Sequence, residues 1–289
     1  LTLPDATRVY PAHGAGSACG KNLSTETWST IGDQRVENYA LLAPDKATFV
    51  DLVTEGQPPA PSYFVYDAVL NRQDRPLLDE NAPLRSLDLA EVDALVADGA
   101  VLLDGRTPEE FAHGHLDGSI NVGLDGRYAE FAGSVVPSDV DIVLVVEPGF
   151  EREGRNRLGR IGFDRVVGHL ADPLGVMAAH PNRTDRASRL TVREFEQRRH
   201  ELDGVQIVDI RNPGEVALGA VPDSVTIPVG QLPARLGELD PAAPTVVYCA
   251  GGYRSSVAAS LLRTHGFADV SDLLGGFGAW VEVTLMPTG

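Results

Sequence analysis

The sequence predicts an α/β protein built on parallel sheets, and three observations carry that prediction. Short apolar runs of four to six residues alternate with helical segments along most of the chain. A stretch near the middle, "LLDGRTPEEFAHGHLDGSINV" (102–122), aligns without gaps to "IVDIRNPGEVALGAVPDSVTI" (207–227). Asp104, Arg106, Pro108, Glu110, Gly114 and Ser119 recur there as Asp209, Arg211, Pro213, Glu215, Gly219 and Ser224, at an offset of 105. Further on, Gly162-Phe163-Asp164 matches Gly266-Phe267-Ala268 at an offset of 104, a one-residue length change. A repeat of about 100 residues is a whole domain rather than a solenoid unit.

Each copy predicts the same order of elements. A strand (100–104, 205–209) leads through a loop to a short helix opened by proline. A second strand follows (142–146, 245–249), then a helix (155–161, 255–265) and a last short strand (165–168, 269–274). Such strands, apolar throughout, suit a parallel sheet covered on both faces. The predicted domains are 82–172 and 188–289. Between them "ADPLGVMAAHPNRTDRAS", with two prolines and mixed polarity, is expected to be a linker.

Residues 1–80 have no counterpart in the repeat. They open with an apolar strand before "PAHGAGSACGK" and continue with a helix cap at Ser29 or Thr30 and a helix around "KATFVDLVTEG". Eighty residues with so few strands form a marginal unit alone. With no initiating Met, the chain is expected to be processed or to be a piece of something longer.

Composition narrows the function. The chain has 289 residues, 43% hydrophobic and 22% charged, and a formal net charge of -17. An acidic surface disfavours nucleic acid and anionic membranes as partners. No apolar run approaches the roughly 20 residues of a membrane helix, and no signal peptide is visible. Two cysteines, Cys19 and Cys249, are too few for a disulfide framework, so a reducing, cytoplasmic compartment is expected. A homo-oligomer is compatible with all of this.

The chemistry concentrates in "YCAGGYRSS" (248–256). Cys249 ends an apolar strand, and a helix with Ser255 as its expected N-cap follows. Ala250, Gly251, Gly252, Tyr253 and Arg254 lie between. A helix N-terminus aims backbone N–H groups and a partial positive charge at the sulfur. The glycines let the backbone form an anion-binding nest, and Arg254 adds a permanent cation. All three favour the thiolate, the nucleophilic form of cysteine, and would equally favour a persulfide anion.

"CAGGYRS", with "VDIRNPGE" upstream and "GFADVSDLLGGFGAW" downstream, resembles the active domain of the rhodanese family over residues 190–285. Residues 85–170 resemble a second rhodanese domain. Residues 1–80, through "VYPAHGAGSACGKNLS" and "TIGDQRVEN", resemble the C-terminal part of metallo-β-lactamase-fold hydrolases of the persulfide dioxygenase and hydroxyacylglutathione hydrolase kind. The expected architecture is thus two rhodanese-like parallel-sheet domains preceded by a partial metallo-β-lactamase-like segment.

The rhodanese resemblance implies sulfur transfer. Cysteine phosphatases use C-x5-R, because a tetrahedral phosphate needs the larger cradle, whereas Cys249 to Arg254 is the tighter C-x4-R. Cys249 is then the catalytic nucleophile, taking a sulfane sulfur from thiosulfate or a small persulfide and passing it to a thiol or cyanide. Ala250, Gly251, Gly252, Tyr253, Arg254 and Ser255 form the substrate-binding loop, with Tyr253 lining the entrance and Arg254 orienting the donor or bracing the loop. The first copy has Glu147-Pro148-Gly149-Phe150 at this place and no cysteine, so it is expected to be structural, and its "EREGRNR" a solvated helix start. Asp209, Arg211 and Glu215 recur in that copy and are expected to be scaffold, as are His113 and His115.

The metallo-β-lactamase resemblance implies that His13 is a metal ligand only with an H-x-H-x-D-H motif that would lie upstream. No cofactor is therefore expected in this chain, and Fe or Zn belongs to a longer parent. The alternatives are a hydrolase or persulfide dioxygenase with accessory rhodanese domains, and a sulfur carrier that loads once without turnover.

Overall fold

The computed structural model describes residues 2–11, 26–55, 61, 63–202 and 204–285. His13 and Cys19 lie outside them. The chain falls into two compact units, 1–58 and 59–289. The first expected domain was to run to residue 80, but the first unit closes near residue 58.

In the first unit, Arg8–Val9 pairs antiparallel with Ser29–Thr30. The helix Ile31–Glu37 starts at Thr30, not Ser29: the Thr30 hydroxyl accepts from the Asp33 amide, and the Asp33 carboxylate accepts from the Thr30 amide. Asp45 caps the helix Lys46–Thr54 in one direction only, its carboxylate accepting from the Thr48 amide.

The second unit begins with the helix Tyr63–Leu70, which belongs to the repeat that follows. A Cβ at Gly133 would meet the Tyr63 ring at 2.5 Å, and Tyr66 packs edge-on against Phe163. Arg155 holds the downstream segment through the Asp79 and Ala82 carbonyls. Of "EREGRNR", expected to be a solvated helix start, Arg152 and Glu153 are exposed, but the segment turns inward after them. Arg155 is buried, and Arg157 donates to the part-buried Leu124 and Gly126 carbonyls.

Both repeats form five-stranded sheets in which every neighbouring pair is parallel. The first runs Ser86–Leu87, Val166–Leu170, Ile142–Val145, Val101–Asp104, Ile120–Asn121 across the sheet. The second runs Ser188–Leu190, Val270–Leu273, Thr245–Tyr248, Gln206–Asp209, Val225–Thr226. The central strand "TVVY" is buried throughout, as its unbroken apolar run predicts.

The expected linker is structured. Asp172 takes a left-handed backbone (φ 43°) and caps a helix Pro173–Ala179 that seats Met177 in the first domain's core. Asp-Pro, an N-cap residue before a helix-starting proline, was its sequence signal. Thr184–Asp185 then pairs antiparallel with His115–Leu116.

One core runs through both domains. The helix Tyr253–Thr264 is buried from Ser255 to Leu262, and its small residues allow close approach on every side. Across the domain boundary the Asn121 amide donates to Ser260 Oγ at 2.9 Å, and Ser256 Oγ donates to Asn121 Oδ1 at 2.6 Å. Each fully buried Leu or Val in this shared layer contributes about 1.5–3 kcal/mol.

Candidate functional site

Cys249 follows directly on the strand Thr245–Tyr248 and is 1% exposed. The helix after it begins at Tyr253, two residues earlier than expected. Its N-cap is therefore Gly252 rather than Ser255. Gly252 has φ +103°, a left-handed conformation that glycine alone adopts without strain. This turn brings the Gly252 N–H to 3.1 Å from Sγ. The first-turn amides of a helix have no partner within it, so they point the same way.

The loop carbonyls are drawn off in the opposite direction. Phe277 N–H donates to the Cys249 carbonyl at 2.7 Å, and Gly278 N–H to the Ala250 carbonyl at 3.2 Å. Those donors open the helix Gly276–Leu285. A Cβ at Gly276 would lie 2.2 Å from the Cys249 carbonyl oxygen, and its φ is +58°. Gly276 of "LLGGFGAW" is thus required by the cysteine loop, and is a residue that sequence reasoning did not single out.

The six residues expected to bind substrate have different places. Ala250 and Gly251 are exposed, and nothing lies within 4 Å of a Cβ at Gly251, so this edge is open to solvent. Arg254 is committed to Glu215: Nη1 donates to Oε2 and Nη2 to Oε1, both at 2.7 Å. That pairing holds the Glu215 carboxyl below its ordinary range. Of the two expected roles for Arg254, the geometry fits bracing the loop.

Tyr253, expected to line the entrance, is half-buried and turned toward the first repeat. Its hydroxyl donates to the Gly123 carbonyl at 2.6 Å in the first repeat, and its ring packs near Phe131. A Cβ at Gly126 would sit 2.4 Å from that ring. The aromatic side chain fills a seat made by two glycines of "VGLDG". Ser255 is fully buried, with Oγ 3.7 Å from Sγ.

The recurrent residues frame both loops. Arg106 pairs with Asp104, and Arg211 with Asp209, each buried and each donating also to the carbonyl of Gly114 or Gly219. Tyr248 Oη donates to Asp209 at 2.7 Å, and burial pushes its phenol up to about 12. His115 is buried and stacked on Phe111, and His113 bonds the Glu109 carbonyl.

In the first repeat Val146 follows the strand Ile142–Val145 as Cys249 follows Thr245–Tyr248. Glu151 then follows five residues on, at the spacing of Arg254 from Cys249. Glu110, the counterpart of Glu215, lies instead beside Glu147, whose carboxyl it pushes up by hydrogen bonding and charge repulsion. A cavity of about 260 Å³ remains there, lined in part by Arg106, Glu110, Leu124 and Phe150. Among the described residues no three His, Cys, Asp or Glu side chains are grouped to hold a metal ion. No helix of the described residues is long and apolar enough to cross a membrane.

Two parallel α/β domains in tandem, one presenting a cysteine at a strand end beneath a helix N-terminus, define the class. The model of the rhodanese-like domain matches residues 88–170 and 191–283, and the chain belongs to that family. A sulfurtransferase of Allochromatium vinosum is 38% identical over 86 residues, 30% of this chain and 80% of its own length. The thiosulfate sulfurtransferase GlpE of Pseudomonas paraeruginosa is 36% identical over 100 residues, 35% of this chain and 89% of its own. Among solved structures, a metallo-beta-lactamase from Staphylococcus aureus subsp. aureus COL is similar at 27% identity, covering 59% of this chain and 47% of its own, with a TM-score of 0.47.

Proposed function

We propose that this chain is a sulfurtransferase that carries a sulfane sulfur on Cys249, from thiosulfate or a small persulfide to a thiol or cyanide. The observation that supports this most directly is the Gly252 N–H 3.1 Å from Sγ at the start of the helix Tyr253–Thr264. Such donors stabilise negative charge on the sulfur or on a second sulfur bound to it. The donor approaches at the Ala250–Gly251 edge. Sγ attacks its outer sulfur, sulfite leaves from thiosulfate with the electron pair of the broken S–S bond, and Cys-S-S⁻ remains. An acceptor thiolate or cyanide then takes the terminal sulfur and regenerates Cys249, a two-stage cycle. The relatives named as sulfurtransferases support the reaction class.

The transfer uses the cysteine alone. The deciding experiment is intact mass after incubation with thiosulfate, then with cyanide, alongside steady-state thiocyanate formation. One added sulfur that cyanide removes, with continued turnover, is the expected result. Loading without turnover would make the protein a carrier, and no loading would end the reading.

A further inference from the structure

Behind Cys249, away from the exposed Ala250–Gly251 edge, side chains from three elements close the space. Ser255 comes from the helix Tyr253–Thr264, Asp272 from the strand Val270–Leu273 and Arg189 from the edge strand Ser188–Leu190. Ser255 is 0% exposed and Asp272 2%. Ser255 Oγ lies 3.7 Å from Sγ, 3.1 Å from the Gly252 carbonyl and 3.4 Å from Asp272 Oδ2. Arg189 sits opposite Asp272 in the sheet, its Nε 3.2 Å and 3.3 Å from the two carboxylate oxygens and its Nη2 3.3 Å from Oδ2.

The internal repeat says which features serve the scaffold. The Asp209–Arg211 pair recurs as Asp104–Arg106 in the copy without cysteine. The group behind Cys249 does not recur. By strand register the first copy has His169 for Asp272 and Ser86 for Arg189. By the offset of 104 that aligns the ends of the two helices, it has Glu151 for Ser255. The Ser–Asp–Arg group and the cysteine occur together and are lost together. The group is thus not part of the scaffold that the two repeats share.

We propose that Asp272, acting through Ser255, is a positioning residue for the sulfur step at Cys249. This rests on the sulfur-transfer reading above. A serine hydroxyl has one proton and two acceptor lone pairs. With Cys249 as the thiol, Sγ–H donates to Ser255 Oγ while the Ser255 proton is directed to the Gly252 carbonyl or to Asp272. Once negative charge is on the sulfur, the Ser255 O–H turns and donates to it. Asp272, fixed by Arg189, holds Ser255 Oγ at the distance from which both arrangements are made. In the step itself the Sγ–S bond forms and the donor's S–S bond breaks. Its electron pair leaves with sulfite, and the thiol proton goes to sulfite or water, so no oxidant or reductant is consumed. Burial pushes the Asp272 carboxyl up, while Arg189, Arg263 and Ser255 draw it down. A carboxyl in so dry a place is costly unless it is paired, and Arg189 supplies that pairing.

The test compares wild type, Ser255→Ala, Ser255→Thr, Asp272→Asn and the double variant Ser255→Ala/Asp272→Asn. Each is mixed with thiosulfate, the rate of sulfur loading is followed by intact mass, and kcat and KM are measured with cyanide. Ser255→Ala and Asp272→Asn are expected to slow loading about tenfold, the scale of a lost hydrogen bond to charge, with KM nearly unchanged. The double variant is expected to be no slower than Ser255→Ala, because Asp272 acts through that hydroxyl. Ser255→Thr keeps the hydroxyl and recovers most of the rate; if Asp272→Asn fails to fold, Arg189→Gln, which unfixes the carboxylate, is expected to slow loading in its place. Loading by Ser255→Ala, by Asp272→Asn or by its substitute within about twofold of wild type overturns the proposal, as do losses that multiply in the double variant. Wild-type protein that takes up no sulfur overturns the sulfur-transfer reading itself, and this proposal with it.

Discussion

Arg254 and Glu215 face each other as a two-pronged pair, Nη1 on Oε2 and Nη2 on Oε1, both at 2.7 Å. Glu215 is also the N3 residue of the short helix Pro213–Val216, its carboxylate accepting from the Asn212 amide. One carboxylate thus ties the cysteine loop to the loop that follows the neighbouring strand Gln206–Asp209. A guanidinium held by both prongs has lost much of its freedom to follow a ligand.

This pair makes stability depend on pH in a stated direction. The Glu215 carboxyl sits below its ordinary 4.5, chiefly through the Arg254 hydrogen bond. A carboxyl depressed in the folded state stabilises at pH above its unfolded value and loses that contribution as pH falls through the folded one. The difference in Tm between wild type and Glu215→Gln should be full at neutral pH and close as the pH is lowered below 4.5. A gap of constant size down to about pH 3 would show that the pair contributes nothing through its charge.

Cys249→Ala should abolish sulfur loading and thiocyanate formation while leaving the unfolding free energy within about 1 kcal/mol of wild type, since only one sulfur is removed from a tight site. Cys19→Ser should leave both activities. Loading that persists in Cys249→Ala would remove the basis of the proposed function.

Gly276→Ala should be far more damaging than its size suggests. Its Cβ meets the Cys249 carbonyl at 2.2 Å in a left-handed backbone. Backbone cannot yield as a side-chain tip can, so a loss of about 2 kcal/mol or more is expected, together with loss of loading. Denaturant unfolding and intact mass read the two effects, and a variant of wild-type stability would contradict the close approach.

Tyr253→Phe removes the hydrogen bond to the Gly123 carbonyl and should cost about 1–2 kcal/mol, with loading retained. Gly126→Ala pushes a methyl into the same ring and should cost about 1–3 kcal/mol. If Tyr253→Phe instead abolished loading at unchanged stability, the tyrosine would be acting on the donor.

The parallel-sheet architecture and its duplication were legible in the chain, because strands buried on both faces are apolar throughout and because Asp104, Arg106 and Glu110 recur in register. The cysteine loop was legible for a local reason: strand end, glycine and helix start follow within a few residues. Asp-Pro at 172–173 also announced its helix, although two prolines and mixed polarity made the segment look like a linker.

Tertiary structure decided the rest. Tyr253 next to the cysteine suggests an entrance, yet its ring is seated on Gly126, some 127 residues earlier in the chain. Arg254 could orient the donor or brace the loop, and it is Glu215, from another loop, that takes both its prongs, while Asp272 and Arg189 come to Ser255 only through strand pairing. Local spacing fixes what a backbone does over a turn or two. Which partner satisfies a guanidinium, a hydroxyl or a buried carboxylate depends on which strands lie side by side, and that is set by the packing of the whole sheet.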